Sequence, residues 1–353
     1  MTSSESEPET GRDAGPVRWQ PCEVTSPHLG RPVRVIAAKD VPYVSGANRF
    51  QNVSIYLPET PATSDLIGSI ATSLPDPGDR SVQPRCHVHI HGGAWRDPRL
   101  TSASVEPTVA HAFSAADGPA PISAIASLNY TISQFPTHST LPYDLVKDHH
   151  TDPSREAVHP QHVSDVLHGL ALLRSFGLTD GSYILSGHSC GACLAFQAVL
   201  QPPSHYGLDL PEAPCPAALL GLNGLYDLPK LVHGLGPSHE EQRDDYTMFL
   251  SNAFGVDEST WPDASPARFD PDVTANRVRQ NRAPRLVLLD QSPDDQLVPM
   301  NQRTGFAAHL SKVSGLRVAD GHRCTGRHAE PWEQGEMIWD SIQDVLQLLS
   351  HAS

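Results

Sequence analysis

No stretch of the 353-residue chain approaches the roughly 20 apolar residues that a membrane-spanning helix needs. The opening residues, Met1 to Thr10, are acidic and polar with no apolar core, so neither a secretory leader nor a basic transit peptide is expected. Basic charge is scarce: 25 Lys and Arg stand against 40 Asp and Glu, giving a net charge of −15 without long blocks of one sign. That balance disfavours nucleic acid and anionic membrane surfaces as partners. With only six cysteines and no leader, a cytoplasmic location and free thiols are expected. The sequons Asn52-Val53-Ser54 and Asn129-Tyr130-Thr131 then carry no meaning. No internal repeat is visible.

What is present is a soluble-core composition, 39% hydrophobic, interrupted by 33 prolines and 25 glycines. Residues 1–16 are polar and expected to be disordered, leaving 17–353 as one domain. Apolar runs predict strands at Val33–Ala38, Val53–Leu57, Val88–Ile90, Ile122–Leu128, Tyr183–Leu185, Ala217–Leu222, Pro284–Leu289 and Leu316–Ala319. Helical periods fall at Thr101–Ala116, Gln161–Phe176 and Trp332–Leu349. The stretch from Pro58 to Arg85 reads as a long loop. Alternating strands and helices call for an α/β fold, a mostly parallel sheet with helices on both faces. The segment from about 225 to 282 interrupts that alternation and is expected to form a small cap.

The chain is organised around Gly187-His188-Ser189-Cys190-Gly191, set between the strand ending at Leu185 and a helix beginning near Ala192. Gly-x-Ser-x-Gly in that setting is a nucleophile elbow. The turn is too tight for side chains two residues either side of the serine, hence Gly187 and Gly191. A serine nucleophile needs a base, an orienting acid and an oxyanion hole. The acid and base should follow Ser189 in the chain. After the strand at Leu286–Leu289 comes Asp290-Gln291-Ser292-Pro293-Asp294-Asp295-Gln296-Leu297-Val298-Pro299, which singles out Asp295, with Asp294 and Asp290 as competitors. Two histidines, His322 and His328, follow the last strand, and either could serve as base. Oxyanion donors are expected from the amide of Cys190 and from Gly92 and Gly93 in His91-Gly92-Gly93-Ala94-Trp95. Trp95 would wall a small acyl pocket or pack beneath the loop.

Rival uses exist. Alternation puts His87, His89 and His91 on one strand face, a possible metal set with Asp148-His149-His150. Such a site would leave the elbow and the double glycine unexplained, so no metal is expected. Cys190 and Cys193 form a C-x-x-C pair, more economically read as small core residues at the helix start.

With these motifs in hand, the chain resembles the kynurenine formamidase (arylformamidase) branch of the α/β-hydrolases, notably its fungal members. His91 to Trp95 match the family's oxyanion motif. His328, followed by Glu330, Trp332 and Glu333, matches the family's histidine and selects it over His322. His159 to Val166 and Trp261 to Pro266 also look like the family. Ala94 stands where general esterases more often carry a third glycine, and the departures from the family are Cys190 where a small Ala is usual, the loop at 58–85 and the extended ends. The resemblance covers about residues 40–349. It implies hydrolysis of N-formyl-L-kynurenine to L-kynurenine and formate, with Ser189, Asp295 and His328 as triad, His91 and Trp95 near the substrate, and no cofactor. The alternatives are a general carboxylesterase on the same triad, a non-catalytic binding protein of hydrolase shape, and a zinc hydrolase. The sequence leaves the oligomeric state open, a homodimer included.

Overall fold

The protein is described by a computed structural model covering residues 15–75, 84–114 and 121–351. Most of the expected disordered tail, and part of the loop between Pro58 and Arg85, lie outside these residues. Nine strands form one sheet in the order β1-β2-β3-β5-β4-β6-β7-β8-β9. They are β1 (Gln20–Val24), β2 (Val33–Pro42), β3 (Asn52–Pro58), β4 (Cys86–Ile90), β5 (Ala124–Leu128), β6 (Tyr183–His188), β7 (Ala218–Leu222), β8 (Leu286–Asp290) and β9 (Arg317–Asp320). The pairings of β1 with β2, β2 with β3 and β3 with β5 are antiparallel, and the others are parallel. The mostly parallel sheet is therefore as expected, with an antiparallel flank at the amino end. β1 escapes sequence reading because it is a short edge strand with mixed exposure and no apolar run.

The helices are α1 (Pro61–Ser64), α2 (Glu106–Phe113), α3 (Gln161–Ser175), α4 (Cys190–Leu200), α5 (Leu228–His233), α6 (Arg243–Phe254), α7 (Pro271–Arg279), α8 (Asn301–Leu310), α9 (Glu330–Gln334) and α10 (Glu336–Ser350). Every residue of β4 to β8 is buried, because both faces of the sheet are covered. Alternation divides β6 cleanly. Tyr183 and Leu185 join a core with Val166, Leu170 and Phe196 of α3 and α4. Ile184 joins a second core with Val109 of α2 and Ile338, Ile342 and Val345 of α10. The expected closing helix is in fact two. At Gly335 (φ 81°) a side chain would collide with the backbone of Pro107 and Thr108, so the chain kinks there to lie across α2.

Between β7 and β8 the chain forms α5, α6, α7 and short 3-10 turns rather than a strand. Trp261 in this segment is fully buried and donates its indole N–H to the Gly255 carbonyl at 3.0 Å.

Candidate active site

β6 runs out at His188, and Ser189 turns the chain sharply into α4 with φ 55° and ψ −123°. A non-glycine residue in that region is strained, and the surroundings must hold it there. They do so at close range. A Cβ on Gly187 would run into the Gly191 carbonyl, and one on Gly191 into the Ile90 and His91 carbonyls. The Ser189 amide donates to the Leu222 carbonyl at 2.9 Å. β4 and β7 thus close on the turn from both sides.

Asp295 and His328, which sequence alone does not connect, are brought together. His328 Nδ1 lies 2.8 Å from Asp295 Oδ2, with both side chains buried. The other carboxylate oxygen of Asp295 accepts from the amides of Leu297 at 2.8 Å and Val298 at 2.9 Å. A carboxylate on Nδ1 fixes the proton there and leaves Nε2 as the basic nitrogen. The ring stands against His188, the residue before the serine, with centroids 4.7 Å apart. Among the described residues the Ser189 hydroxyl has no hydrogen-bond partner. Asp294 and His322 are exposed. Asp290 is buried but already holds the amides of Arg323 and Cys324 and the hydroxyl of Ser341.

The double-glycine loop follows β4. Gly93, Ala94 and Trp95 all have positive φ, at 106°, 49° and 57°. Two of these are not glycine, so the loop is held under strain by specific anchors. Tyr130 donates its hydroxyl to the carbonyls of His91 at 3.2 Å and Gly92 at 3.0 Å. The Trp95 amide donates to Cys190 Sγ at 3.3 Å, and the Trp95 carbonyl accepts from Ser133 at 2.7 Å. A side chain on Gly92 would press on Ser189 Cβ and His188 Nδ1. Cys190 is therefore the joint between the elbow and this loop. Burial pushes its thiol up to about 11 and that of Cys193 well above its ordinary value, which keeps both protonated. The six cysteines are all free.

Trp95 is fully buried, its ring edge-to-face with Phe254 at 4.9 Å. His91 stacks on Tyr130 at 4.6 Å, and its Nδ1 lies 2.8 Å from its neighbour's carbonyl. Burial lowers His91 to about 4 and His87 to about 3, so both are neutral near pH 7. His87 Nε2 and His89 Nδ1 both bond the Ser186 hydroxyl, at 2.6 and 2.8 Å. Among the described residues no group of three or more His, Cys, Asp or Glu side chains is arranged to hold a metal ion. His149 and His150 are exposed.

Two supporting features are invisible to motif reading. Asn223, at the end of β7, donates to the His328 carbonyl at 3.2 Å and accepts from the Ser292 amide at 2.9 Å. It joins the histidine loop to the acid loop. Its only sequence signal is a polar residue with positive-φ tolerance directly after an apolar strand. α6 is the second surprise. Its Asp245 pairs with Arg96 beyond the double-glycine loop at 2.7 Å, and its Tyr246 donates to the Leu297 carbonyl beside Asp295. No helix among the described residues is long and apolar enough to cross a membrane.

No known family profile matches the chain. It is 32% identical over 313 residues to the kynurenine formamidase avaC of Aspergillus versicolor, covering 85% of this chain and 96% of that one. It is 28% identical to the kynurenine formamidase-like hydrolase fscH of Fusarium equiseti, covering 89% and 95%. Among solved structures, esterase B from Lactobacillus Rhamnosis (HN001) superposes with a TM-score of 0.58 at 14% identity, covering 90% of this chain and 87% of that one. Likeness at that identity establishes the α/β-hydrolase fold and nothing finer.

Proposed function

Because this chain belongs to the kynurenine formamidase family of the α/β-hydrolases, we propose that it hydrolyses the formyl amide of N-formyl-L-kynurenine to L-kynurenine and formate. The observation that carries the reading is the buried Asp295–His328 hydrogen bond set against the residue preceding a strained, unpartnered serine. Ser189 Oγ attacks the formyl carbon as His328 Nε2 takes its proton. Asp295 keeps the Nδ1–H tautomer and stabilises the imidazolium. The carbonyl oxygen becomes an oxyanion facing the amides of Cys190, Gly92 and Gly93. The Trp95 amide is not a donor here, since Cys190 Sγ already accepts it.

The C–N bond then breaks, and His328 returns the proton to the departing nitrogen. That aryl nitrogen shares its lone pair with its ring, which makes it a better leaving group than an alkyl amine. Water, activated by the same imidazole, attacks the formyl-serine and releases formate. No cofactor takes part in these steps. Formyl is the smallest acyl group, which suits a serine only 7% exposed. Residues 225–282 act as the cap over this site, a role supported by the two ties of α6 to its opposite walls. Six free thiols suit the cytoplasm.

Formate release from N-formyl-L-kynurenine, set against hydrolysis of p-nitrophenyl esters, tests the reading. Ester turnover faster by orders of magnitude would replace the formamidase with a general carboxylesterase.

A further inference from the structure

Arg96 follows the double-glycine loop directly and is 4% exposed. Its guanidinium carbon lies 3.9 Å from the ring centre of Phe135 and 5.3 Å from that of Phe249. Nη2 reaches both oxygens of Asp245, at 2.7 and 2.9 Å. Nη1 is buried and has no acceptor among the described residues. A guanidinium that serves packing alone has its terminal nitrogens satisfied, because a buried charged donor without a partner costs free energy. Here half of a bidentate fork is spare, next to the double-glycine loop. Asp245, the one carboxylate on it, is about half exposed, at 48% of its side-chain surface.

We infer that Arg96 and Asp245 form the receptor for the amino-acid end of the substrate, Arg96 taking its α-carboxylate and Asp245 its α-ammonium. This deepens, and rests on, the formamidase reading above. A zwitterion presents one group of each sign on one carbon, and the pair presents the complementary signs side by side. The carboxylate supplies the acceptor that Nη1 lacks. Because Nη1 is closed from solvent, entry requires α6 to shift, and Asp245 is the contact on that helix that lets go of Arg96. Phe135, which is not on α6, keeps its ring against the guanidinium while its partner changes. Arg96 also lies one residue from Trp95, so the occupied receptor braces the loop that carries the oxyanion donors.

Calorimetric binding of three ligands tests this without any turnover. L-Kynurenine carries both charges, 4-(2-aminophenyl)-4-oxobutanoate only the carboxylate, and 2-aminoacetophenone neither. Arg96→Met is expected to weaken the first two by about tenfold or more and leave the third unchanged. Asp245→Asn, which keeps the arginine in place should Arg96→Met fold poorly, is expected to weaken L-kynurenine alone. Equal losses for all three ligands, or no loss for any, would overturn the assignment. Turnover of N-formyl-2-aminoacetophenone by the unaltered protein reports on the formamidase reading separately, since that substrate has no amino-acid end.

Discussion

His188 Nε2 lies 2.9 Å from the backbone carbonyl of His328, so the residue before Ser189 holds the loop that carries His328. The carbonyl can only accept, so Nε2 carries the proton and Nδ1 is bare. Burial, with His328 beside it, pushes His188 far below the ordinary histidine range and keeps it neutral. It is a positioning residue. His188→Phe keeps the ring volume and loses the donor, leaving Asn223 alone on that carbonyl. A drop of about 100-fold in kcat with KM little changed is expected, partly restored in His188→Gln. Full activity in the phenylalanine variant would show that Asn223 suffices.

Ser189→Ala and His328→Ala should each lower turnover by about four orders of magnitude while leaving the melting temperature nearly unchanged. Asp295→Asn should do nearly as much, because the amide stabilises the wrong imidazole tautomer. His322→Ala, at an exposed position, should be mild. If His322→Ala were the inactive variant, the base would have been misassigned.

The elbow leaves no room for a single methyl group. Gly187→Ala and Gly191→Ala each set Cβ against backbone carbonyls rather than movable side chains. A loss of about 3 kcal/mol in denaturant unfolding is expected for each, with activity lost even in the folded fraction. Gly177→Ala is a control with open space, although its φ of 108° still imposes strain. Wild-type unfolding midpoints for the elbow variants would contradict this packing.

Mild acid should unfold the protein. Burial lowers His87 and His162 to about 3 and His91 to about 4, against about 6.5 in an unfolded chain. Between those values the unfolded state binds protons that the native state refuses. The stabilisation is therefore complete above pH 6.5 and declines as pH falls, down to about 4 for His91 and about 3 for His87 and His162. Each histidine contributes a slope of up to about 1.4 kcal/mol per pH unit. Melting curves at pH 7 and pH 5 should show a lower midpoint at pH 5. A flat profile would mean that these rings are protonated in the native state.

The elbow was legible because its constraint is local: two glycines, a short apolar strand and a helix lie within one stretch of chain. The sheet was legible for a related reason, since strands buried on both faces read as plain apolar runs. Asp295 could be singled out by its place after β8, and the structure separates it from the exposed Asp294 by burial and by its contact with His328. Choosing between His322 and His328 needed the family resemblance, because the distance to a carboxylate across two loops has no trace in local pattern. The Arg96–Asp245 pair spans 149 positions and was missed entirely. Neighbours that meet only through folding leave no periodicity to read.

Asp245 and Tyr246 are consecutive, yet one holds Arg96 beside the double-glycine loop and the other the Leu297 carbonyl beside Asp295. A single helical step thus ties the double-glycine loop to the Asp295 loop. On the proposed mechanism, a ligand that displaces this helix from one wall would also load the other, so admission and reactivity would share one motion.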